Sequence, residues 1–313
     1  MKTTAKALGH EKGLPWYDLF APMGKASATY TPEEARDYLL KLFYTFDKDM
    51  GDMMETAFRD AWIDFFPRPG KRDGAFCASS RSMGRSWVMA NHSGKFASVS
   101  TLAHELGHCF HNICINEHRP LNKTYGRPVS ETASTFNECL LYDAAIQSAT
   151  DREEQLNLLE GCLIAEASMI TDIYSRFLFE DEVIRRRENE FLSADTLCDI
   201  MIRAQKTAFG DGLDHEALHP YMWICKPHYY SAFYYNYPYI FGDLFSRGLY
   251  ARYKAEGAPF VEKYKKLLYT TTVASIEDTA KVADIDLTDK AFWSAALQGI
   301  ADMVERFCQL VGE

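Results

Sequence analysis

The chain has 313 residues, of which 47% are hydrophobic and 25% are charged, a composition that excludes a disordered or fibrous protein and allows a large buried core. Asp and Glu (44) outnumber Lys and Arg (34), so we expect no nucleic-acid partner, because phosphate contacts require basic side chains. The eight cysteines form no Cys-x-x-Cys pair, and the first residues form no signal segment. No apolar run approaches the roughly 20 residues of a membrane span. Together these features predict a cytoplasmic protein with no membrane partner.

Helical spacing of apolar residues dominates the chain from the N-terminus onward. Thr31 and Pro32 predict an N-cap and first helical residue, opening a helix that runs to Phe46. The same periodicity predicts further helices near 50–61, 98–116, 130–148, 151–188, 193–208, 229–255, 258–269 and 288–311.

One stretch departs from this pattern. Prolines and glycines interrupt residues 64–98, and the segments 74–77 and 86–91 have the composition of short strands. No Pro/Gly/Ser-rich linker divides the chain. We therefore expect a mainly α protein in which a small sheet precedes the helix at 98–116.

That helix contains the sequence His104-Glu105-Leu106-Gly107-His108. Two histidines at i and i+4 lie on one helix face, so their imidazoles can converge on a single ion. Glu105 can reach a metal-bound water without being a ligand, and can accept its proton. The short motif also occurs by chance on solvated helices, so it needs a third ligand to be convincing.

Glu131 is the best candidate for that third ligand, because a catalytic zinc site has three protein ligands and one open position. Ser130 is a plausible N-cap for its helix, and Glu138, at i+7, could hydrogen-bond to a histidine ligand. The alternative is that Glu131 only complements the helix N-terminus. His111 stands roughly 10 Å along the axis from His104, since a helix rises about 1.5 Å per residue. One ion cannot easily bind both rings at that distance, so we expect His111 to support a ligand or the fold and not to bind the metal itself.

An aromatic block follows later in the chain, from His228 to Tyr239. Seven aromatic residues in twelve positions are typical of a packed core. However, tyrosine hydroxyls and a histidine can also stabilise the oxyanion that forms when water attacks a carbonyl. The residues alone leave both readings open.

Taken together, these blocks resemble the oligoendopeptidase F branch of the thimet oligopeptidase family (M3) of zinc peptidases. The resemblance covers nearly the whole chain in order, and its blocks are 16–22, 67–77, 104–111, 130–138 and 228–242. It implies a zincin-type catalytic domain spanning 1–313, a helical bundle with a small β-sheet beside the metal-binding helix. Family members normally carry a further N-terminal half, so the resemblance also implies a missing or separately encoded N-terminal partner.

Carried over to this sequence, the resemblance implies one zinc ion held by three residues and a general base beside it. The ligands are His104, His108 and Glu131, and the base is Glu105. It also implies that His228 and one or both of Tyr235 and Tyr239 contact the substrate and the oxyanion.

The expected function is that of a zinc metalloendopeptidase acting on short peptides. A strand beside the metal helix can hold an extended peptide by main-chain hydrogen bonds, and we assign this to 86–91, with Trp87, Val88 and Met89 at its centre. One alternative is a metallocarboxypeptidase, which needs a cation for the substrate carboxylate, for which Arg247 and Lys226 are candidates. A non-catalytic fragment that binds zinc or peptides is the other.

Overall fold

The structure is a computed structural model that describes residues 1–21, 23 and 29–312. Pro22, in the first block of the family resemblance, lies outside the described residues. The chain divides into two compact units. Unit 1 comprises Met1–Lys25, Asp151–Phe241 and Ile300–Glu313, and unit 2 comprises Ala26–Thr150 and Gly242–Gly299. That the whole chain forms one catalytic domain stays a prediction.

Helices make up most of the described residues. Twelve α-helices are present there: α1 (Lys2–Ala7), α2 (Pro32–Phe46), α3 (Lys48–Arg59), α4 (Phe96–Cys114), α5 (Thr132–Ser148), α6 (Arg152–Ala167), α7 (Ile173–Arg187), α8 (Ala194–Phe209), α9 (Tyr237–Glu256), α10 (Ala258–Thr270), α11 (Ile276–Lys281) and α12 (Lys290–Val311). Along the described chain no helix is both long enough and apolar enough to span a bilayer.

Most predicted helices are found within two or three residues of their expected ends. Thr31 caps α2 as predicted: its side chain accepts from the Glu34 amide, and the Glu34 side chain accepts from the Thr31 amide. The helix predicted over 229–255 is wrong for its first eight residues, since α9 begins only at Tyr237. Tyr234 has a positive φ of 50°, which a right-handed helix cannot contain, and Pro238 suits a first helical turn. The helix predicted over 151–188 contains a π-helical segment, Ser168–Asp172, between α6 and α7.

Unit 2 contains the small sheet, formed by β1 (Ile63–Asp64), β2 (Phe76–Ser80) and β3 (Arg85–Met89) in the order β1-β3-β2. β3 pairs in parallel with β1 and antiparallel with β2. One face of the hairpin packs on α4, where the Cys77 and Cys109 Sγ atoms lie 3.6 Å apart and Asn112 Nδ2 donates to Ser86 Oγ over 3.3 Å. The sheet therefore lies beside α4, as the family resemblance implies.

Close packing of α4 against α5 forms the centre of unit 2. A Cβ atom at Gly107 would lie 2.5 Å from the Ala133 carbonyl oxygen, so only glycine allows this approach. The buried Asn137 side chain donates from Nδ2 to the Ala103 carbonyl oxygen over 3.0 Å. Beyond this contact Phe136 stacks on Tyr264 of α10, with ring centroids 4.3 Å apart. These contacts fix the rotation of α4 relative to α5.

Two small apolar cores lie among the described residues of unit 1. One is built on α7 and α8 around Phe179, Ile200 and Met201. The other joins α1 to the end of α8 through Leu14, Phe209 and Leu213, where Leu14 and Leu213 form an isolated parallel bridge. The partly buried Tyr229 packs against the first core, which anchors the start of the aromatic block.

Candidate active site

Three side chains of unit 2 converge at the middle of α4. One nitrogen from each of His104 and His108 and one carboxylate oxygen of Glu131 all lie within 4.8 Å of one another. Each Nε2 atom is 3.3 Å from the same oxygen, Glu131 Oε2. The i, i+4 spacing on α4 brings the two imidazoles together, with ring centroids 4.9 Å apart.

Glu131 lies just before α5, as its N-cap residue, with φ −93° and ψ 5°. The prediction that Ser130 is the N-cap is wrong, because its hydroxyl instead donates to the Arg127 carbonyl oxygen within a short 3₁₀ turn, 127–129. Ser134, one helical turn later, donates to Glu131 Oε2 over 2.9 Å. This bond fixes the rotamer of the carboxylate that faces the two histidines.

Two residues in the first half of α9, Gly242 and Ser246, contact the segment that carries Glu131 into α5. A Cβ at Gly242 would approach Glu131 Cβ to 3.0 Å, a contact tight enough to displace the side chain. The Ser246 hydroxyl lies 2.6 Å from the Gly242 carbonyl oxygen of its own helix and 3.0 Å from the Thr132 carbonyl oxygen. Sequence reasoning missed both, together with Ser134 and Gly107. A glycine in the middle of a helix was the available signal for Gly107, because glycine costs helix stability unless packing requires it.

Glu138 of α5 contacts the other side of the His104 ring, with Oε1 2.7 Å from Nδ1. This contact favours the tautomer with the proton on Nδ1, so the Nε2 lone pair is directed at the Glu131 side. Burial disfavours the charged imidazole, but the Glu138 and Glu131 carboxylates outweigh burial and raise the pKa of His104 well above its usual range. The same histidines keep the pKa of Glu131 far below normal despite its burial. An excess of negative charge around two imidazoles is suited to a divalent cation.

Glu105 is buried beside the two histidines, with 5% of its surface exposed. Its Oε2 atom has no hydrogen-bond partner among the described residues. Burial raises the pKa of this carboxyl, and the nearby histidines oppose the shift. A buried carboxylate oxygen without a protein donor is poised to accept a proton from a molecule that enters the site.

His111 does not contact the ligands by a hydrogen bond. Its Nε2 atom lies 2.8 Å from Thr271 Oγ1, and its ring stacks on Tyr125 with centroids 4.1 Å apart. Its Nδ1 atom is buried without a partner among the described residues. Burial, and then the charge of His108, lower the pKa of His111 to about 3. Of the two roles that the sequence left open, these contacts favour supporting the fold over orienting a metal ligand.

The assignment of the substrate edge to 86–91 is wrong. β3 is the central strand, because the Val88 and Ala90 amides donate to Trp62 and Asp64 on one side while Trp87 and Met89 pair with β2 on the other. Its main-chain groups are therefore already used on both sides. A two-residue strand such as β1 carries too little pattern to be recognised from sequence, which explains the error.

The aromatic block belongs to unit 1. The His228 ring lies on the Tyr235 ring at 4.9 Å between centroids, and Tyr239 meets each of them at 6.0 Å. Pro227–Tyr230 forms a short 3₁₀ turn that presents His228. The structure therefore brings the three predicted residues of this block together as one ring cluster.

The fold is mainly helical, and it brings two histidines and a carboxylate together in an arrangement that could hold a metal ion. The sequence profile of Peptidase family M3 matches residues 40–299, so the chain belongs to this family. Oligopeptidase PepF of Bacillus subtilis (strain 168) is 28% identical over 301 residues, which cover 94% of this chain and 44% of that protein. The chain spans about half the length of the curated relatives it matches.

Solved structures share the fold. A structure from Chlamydophila abortus matches with a TM-score of 0.82 and 23% identity, over 98% of this chain and 52% of that one. Oligoendopeptidase-F from Enterococcus faecium matches with a TM-score of 0.70 and 16% identity, over 98% of this chain and 48% of its own. At these identities the likeness establishes the fold, which is mainly helical with a small sheet beside α4, as predicted.

Proposed function

We propose that this chain is a zinc metalloendopeptidase domain that hydrolyses peptide bonds in short oligopeptides. The observation that carries the proposal is the cluster of His104, His108 and Glu131 beside a buried Glu105 whose carboxylate has an unused oxygen. Membership of Peptidase family M3 supports the reaction class. The names of the relatives, which include oligopeptidase and oligoendopeptidase F, support peptides as substrates.

The donor set fits zinc. Two imidazole nitrogens and one carboxylate oxygen are the ligands of a catalytic zinc site with an open position, and Glu138 orients one of the imidazoles. Bound zinc would supply a Lewis acid that polarises the peptide carbonyl and makes water acidic near neutral pH. The excess of carboxylates over cations around the two histidines would be neutralised by a doubly charged ion.

Glu105 is proposed as the general base. It is adjacent to His104 in sequence but is not part of the ligand cluster, and its free oxygen can take the proton of the attacking water. The proton can then pass to the leaving amine, as in other acid–base mechanisms. Burial keeps the competing solvent away from this carboxylate.

The free edge of β2 is the better candidate for binding an extended peptide. Phe76 and Ala78 pair with Met89 and Trp87 of β3, so the main-chain groups of Cys77 and Ser79 point to the opposite edge. No strand of the described residues pairs along that edge. Since Cys77 packs on Cys109, next to His108, a peptide added there would run beside α4.

The carboxypeptidase alternative depends on a free cation. Arg247 is largely buried and ion-paired with Asp243 at 3.2 Å on the same helix, which removes it as a candidate. Lys226 is partly buried and has no ion pair among the described residues, so it stays a candidate. A non-catalytic zinc- or peptide-binding role remains an outcome of the test that follows.

The test combines metal analysis with hydrolysis of a short, internally quenched peptide. We expect about one zinc per chain, loss of metal in His104→Ala and His108→Ala, and loss of activity with a strong chelator. Glu105→Gln keeps the shape of the side chain but accepts no proton. It should retain zinc while hydrolysis falls by about 10²-fold or more, the scale of lost general-base catalysis.

Three results would separate the alternatives. Full zinc occupancy in both histidine variants would refute the ligand assignment. Wild-type turnover in zinc-loaded Glu105→Gln would refute the general base. Zinc binding without hydrolysis of any peptide would favour the non-catalytic role.

A further inference from the structure

Two cysteine thiols meet where the small sheet packs on α4, both within unit 2. The Sγ atoms of Cys77 and Cys109 lie 3.6 Å apart, although 32 residues separate the two in sequence. The sulfurs of a disulfide are about 2.05 Å apart, so only a short approach separates this contact from a covalent bond. Cys77 belongs to β2 and Cys109 follows His108 directly on α4, so the bond would join the strand to the helix of the two proposed histidine ligands.

The two thiols differ in their exposure to solvent. Cys109 is fully buried, whereas Cys77 is partly exposed. Oxidation of a cysteine depends on access to its sulfur, so an oxidant that arrives from solvent reaches Cys77 first. Cys109 then lies behind it, in contact with the sulfur that has reacted.

A polar cavity of about 250 Å³ lies close to the exposed member of the pair. Ser86, Asn112 and Tyr125 are among the residues that line it. Asn112 Nδ2 lies 3.8 Å from Cys77 Sγ and donates to Ser86 Oγ over 3.3 Å, so the cavity comes within one side chain of the sulfur. Hydrogen peroxide is small and both donates and accepts hydrogen bonds, which suits a cavity lined by amide and hydroxyl groups.

We propose that Cys77 and Cys109 form a site of reversible oxidative modification, at which a peroxide converts the two thiols into a disulfide. The proposal goes beyond the proposed peptidase function and does not depend on it, because neither sulfur belongs to the candidate metal cluster. Where the surroundings keep thiols reduced, a disulfide of this kind forms transiently under oxidising conditions and responds to them.

The oxidation takes place in two balanced steps. Cys77 Sγ attacks one oxygen of hydrogen peroxide, the O–O bond breaks, and the products are Cys77 sulfenic acid and a water molecule. Cys109 Sγ then attacks the Cys77 sulfur, the S–S bond forms, the S–O bond breaks, and the hydroxyl group leaves as water with the Cys109 proton. The thiols lose two electrons in total, and the peroxide gains them. A small dithiol reverses the reaction by thiol–disulfide exchange.

The contact between the sulfurs has two consequences that can be measured. Because Cys109 already touches Cys77, it can trap the sulfenic acid before further peroxide converts it irreversibly to sulfinic acid. The disulfide also closes a loop that contains all of β3 and more than half of α4. A crosslink across a loop of this length lowers the entropy of the unfolded chain and so stabilises the folded protein.

The experiment uses the full chain, with a chelator present so that bound metal does not contribute, and hydrogen peroxide as the probe. After oxidation, free thiols are blocked with N-ethylmaleimide and the unreduced protein is digested with trypsin. Cys77 is released in the peptide 73–81, whereas Cys109 and Cys114 share one peptide that begins at Phe96. The variants are Cys77→Ser and Cys109→Ser, with Cys114→Ser, at a half-buried position of the same helix, as the matched control.

We expect oxidation to link the peptide 73–81 to the peptide that begins at Phe96 in the wild type and in Cys114→Ser, and dithiothreitol to release them. Neither Cys77→Ser nor Cys109→Ser should give the linked pair. In Cys109→Ser, excess peroxide should convert Cys77 to sulfinic acid, which the wild type resists. The oxidised wild type should melt about 5–10 °C above the reduced protein, and oxidised Cys77→Ser should show no such shift.

Three results would overturn the proposal. Sulfinic acid at Cys77 of the wild type without the linked peptides would show that Cys109 does not trap the oxidised sulfur. Unmodified Cys77 and Cys109 in excess peroxide would show that the pair is out of reach of the oxidant. A link that is lost in Cys114→Ser would assign the bond to Cys114. Because Cys109 is buried, Cys109→Ser can fail to fold, and Cys77→Ser together with the wild type then decides the outcome. No step requires peptide hydrolysis, so the proposed function is judged separately.

Discussion

The Nδ1 atom of His104 lies 2.7 Å from Oε1 of Glu138, although 34 residues separate the two in sequence. The contact crosses from α4 to α5 and lies on the opposite side of the imidazole ring from Glu131. It therefore couples the packing of two helices to the orientation of one proposed ligand. Gly107 and Asn137 support the same contact by bringing the helices close and fixing their register.

Glu138→Ala should weaken zinc binding without preventing folding. The ring of His104 would lose the acceptor that fixes its tautomer, and loss of such a partner typically costs about 10-fold to 100-fold in metal affinity. A competition titration against a chromogenic chelator measures the change. Glu138→Gln keeps a carbonyl acceptor and should lose less. An unchanged affinity in Glu138→Ala would show that helix packing alone orients His104.

Gly107→Ala should destabilise the folded protein. The added methyl group would lie 2.5 Å from the Ala133 carbonyl oxygen, and overpacking of this kind costs about 1–3 kcal/mol, more than the gain in helix propensity. Gly299→Ala in α12 is the matched control, because no described atom outside its own helix lies within 4 Å of the new Cβ. The control should gain about 0.5–1 kcal/mol. Denaturant unfolding of both variants, without metal, measures the difference, and equal stability would contradict the close approach.

Sequence patterns predicted the local parts of this site and failed for its long-range parts. The i, i+4 histidines and the neighbouring Glu105 lie on one helix, so spacing alone places them. The partner of His111 is Thr271, 160 residues away, and no periodicity in the chain indicates such a contact. The position of Glu131 before α5, instead of inside it, depends on a short 3₁₀ turn that the pattern does not show.

The sheet illustrates the same limit. Turn residues and strand-like composition predicted two strands before α4, but the strand order depends on β1, which has only two residues. The aromatic block was predicted as helix because its spacing fits one, while Tyr234 adopts a positive φ and its amide donates to the distant Glu180 over 2.7 Å. Local patterns therefore identify elements, and contacts distant in sequence decide which strand is central and where a helix begins.

His111 should make the stability of the metal-free protein depend on pH. Its pKa is about 3 in the folded protein because of burial, against an ordinary value near 6.5. Between these values the unfolded chain binds a proton at this position and the folded chain does not. The free energy of unfolding should therefore fall as the pH drops below 6.5, by about 1 kcal/mol per pH unit from this group.

The measurement is denaturant unfolding at several pH values between 4 and 8, with a chelator present. His111→Leu removes the titrating group and should flatten the pH dependence by the amount stated, whatever its effect on stability at pH 7. Identical slopes for the wild type and His111→Leu would show that His111 becomes protonated in the folded protein.

Tyr235 and Tyr239 provide the last prediction, because the family resemblance assigns one or both to the oxyanion while their ring contacts also suit a core. A neutral tyrosine, with an ordinary pKa near 10, can donate a hydrogen bond to a developing negative charge at pH 7. If one of them has this role, its Phe variant should fold, keep zinc, and lose about 10²–10³-fold in kcat with KM little changed, since the bond forms only in the transition state.

Tyr237→Phe, at an exposed neighbouring position, is the control and should behave as the wild type. A core role predicts a lower melting temperature with nearly normal kcat in the folded fraction. Near-normal kcat in both Tyr235→Phe and Tyr239→Phe would therefore assign the ring cluster to packing, and the oxyanion donor would have to be sought elsewhere in the chain.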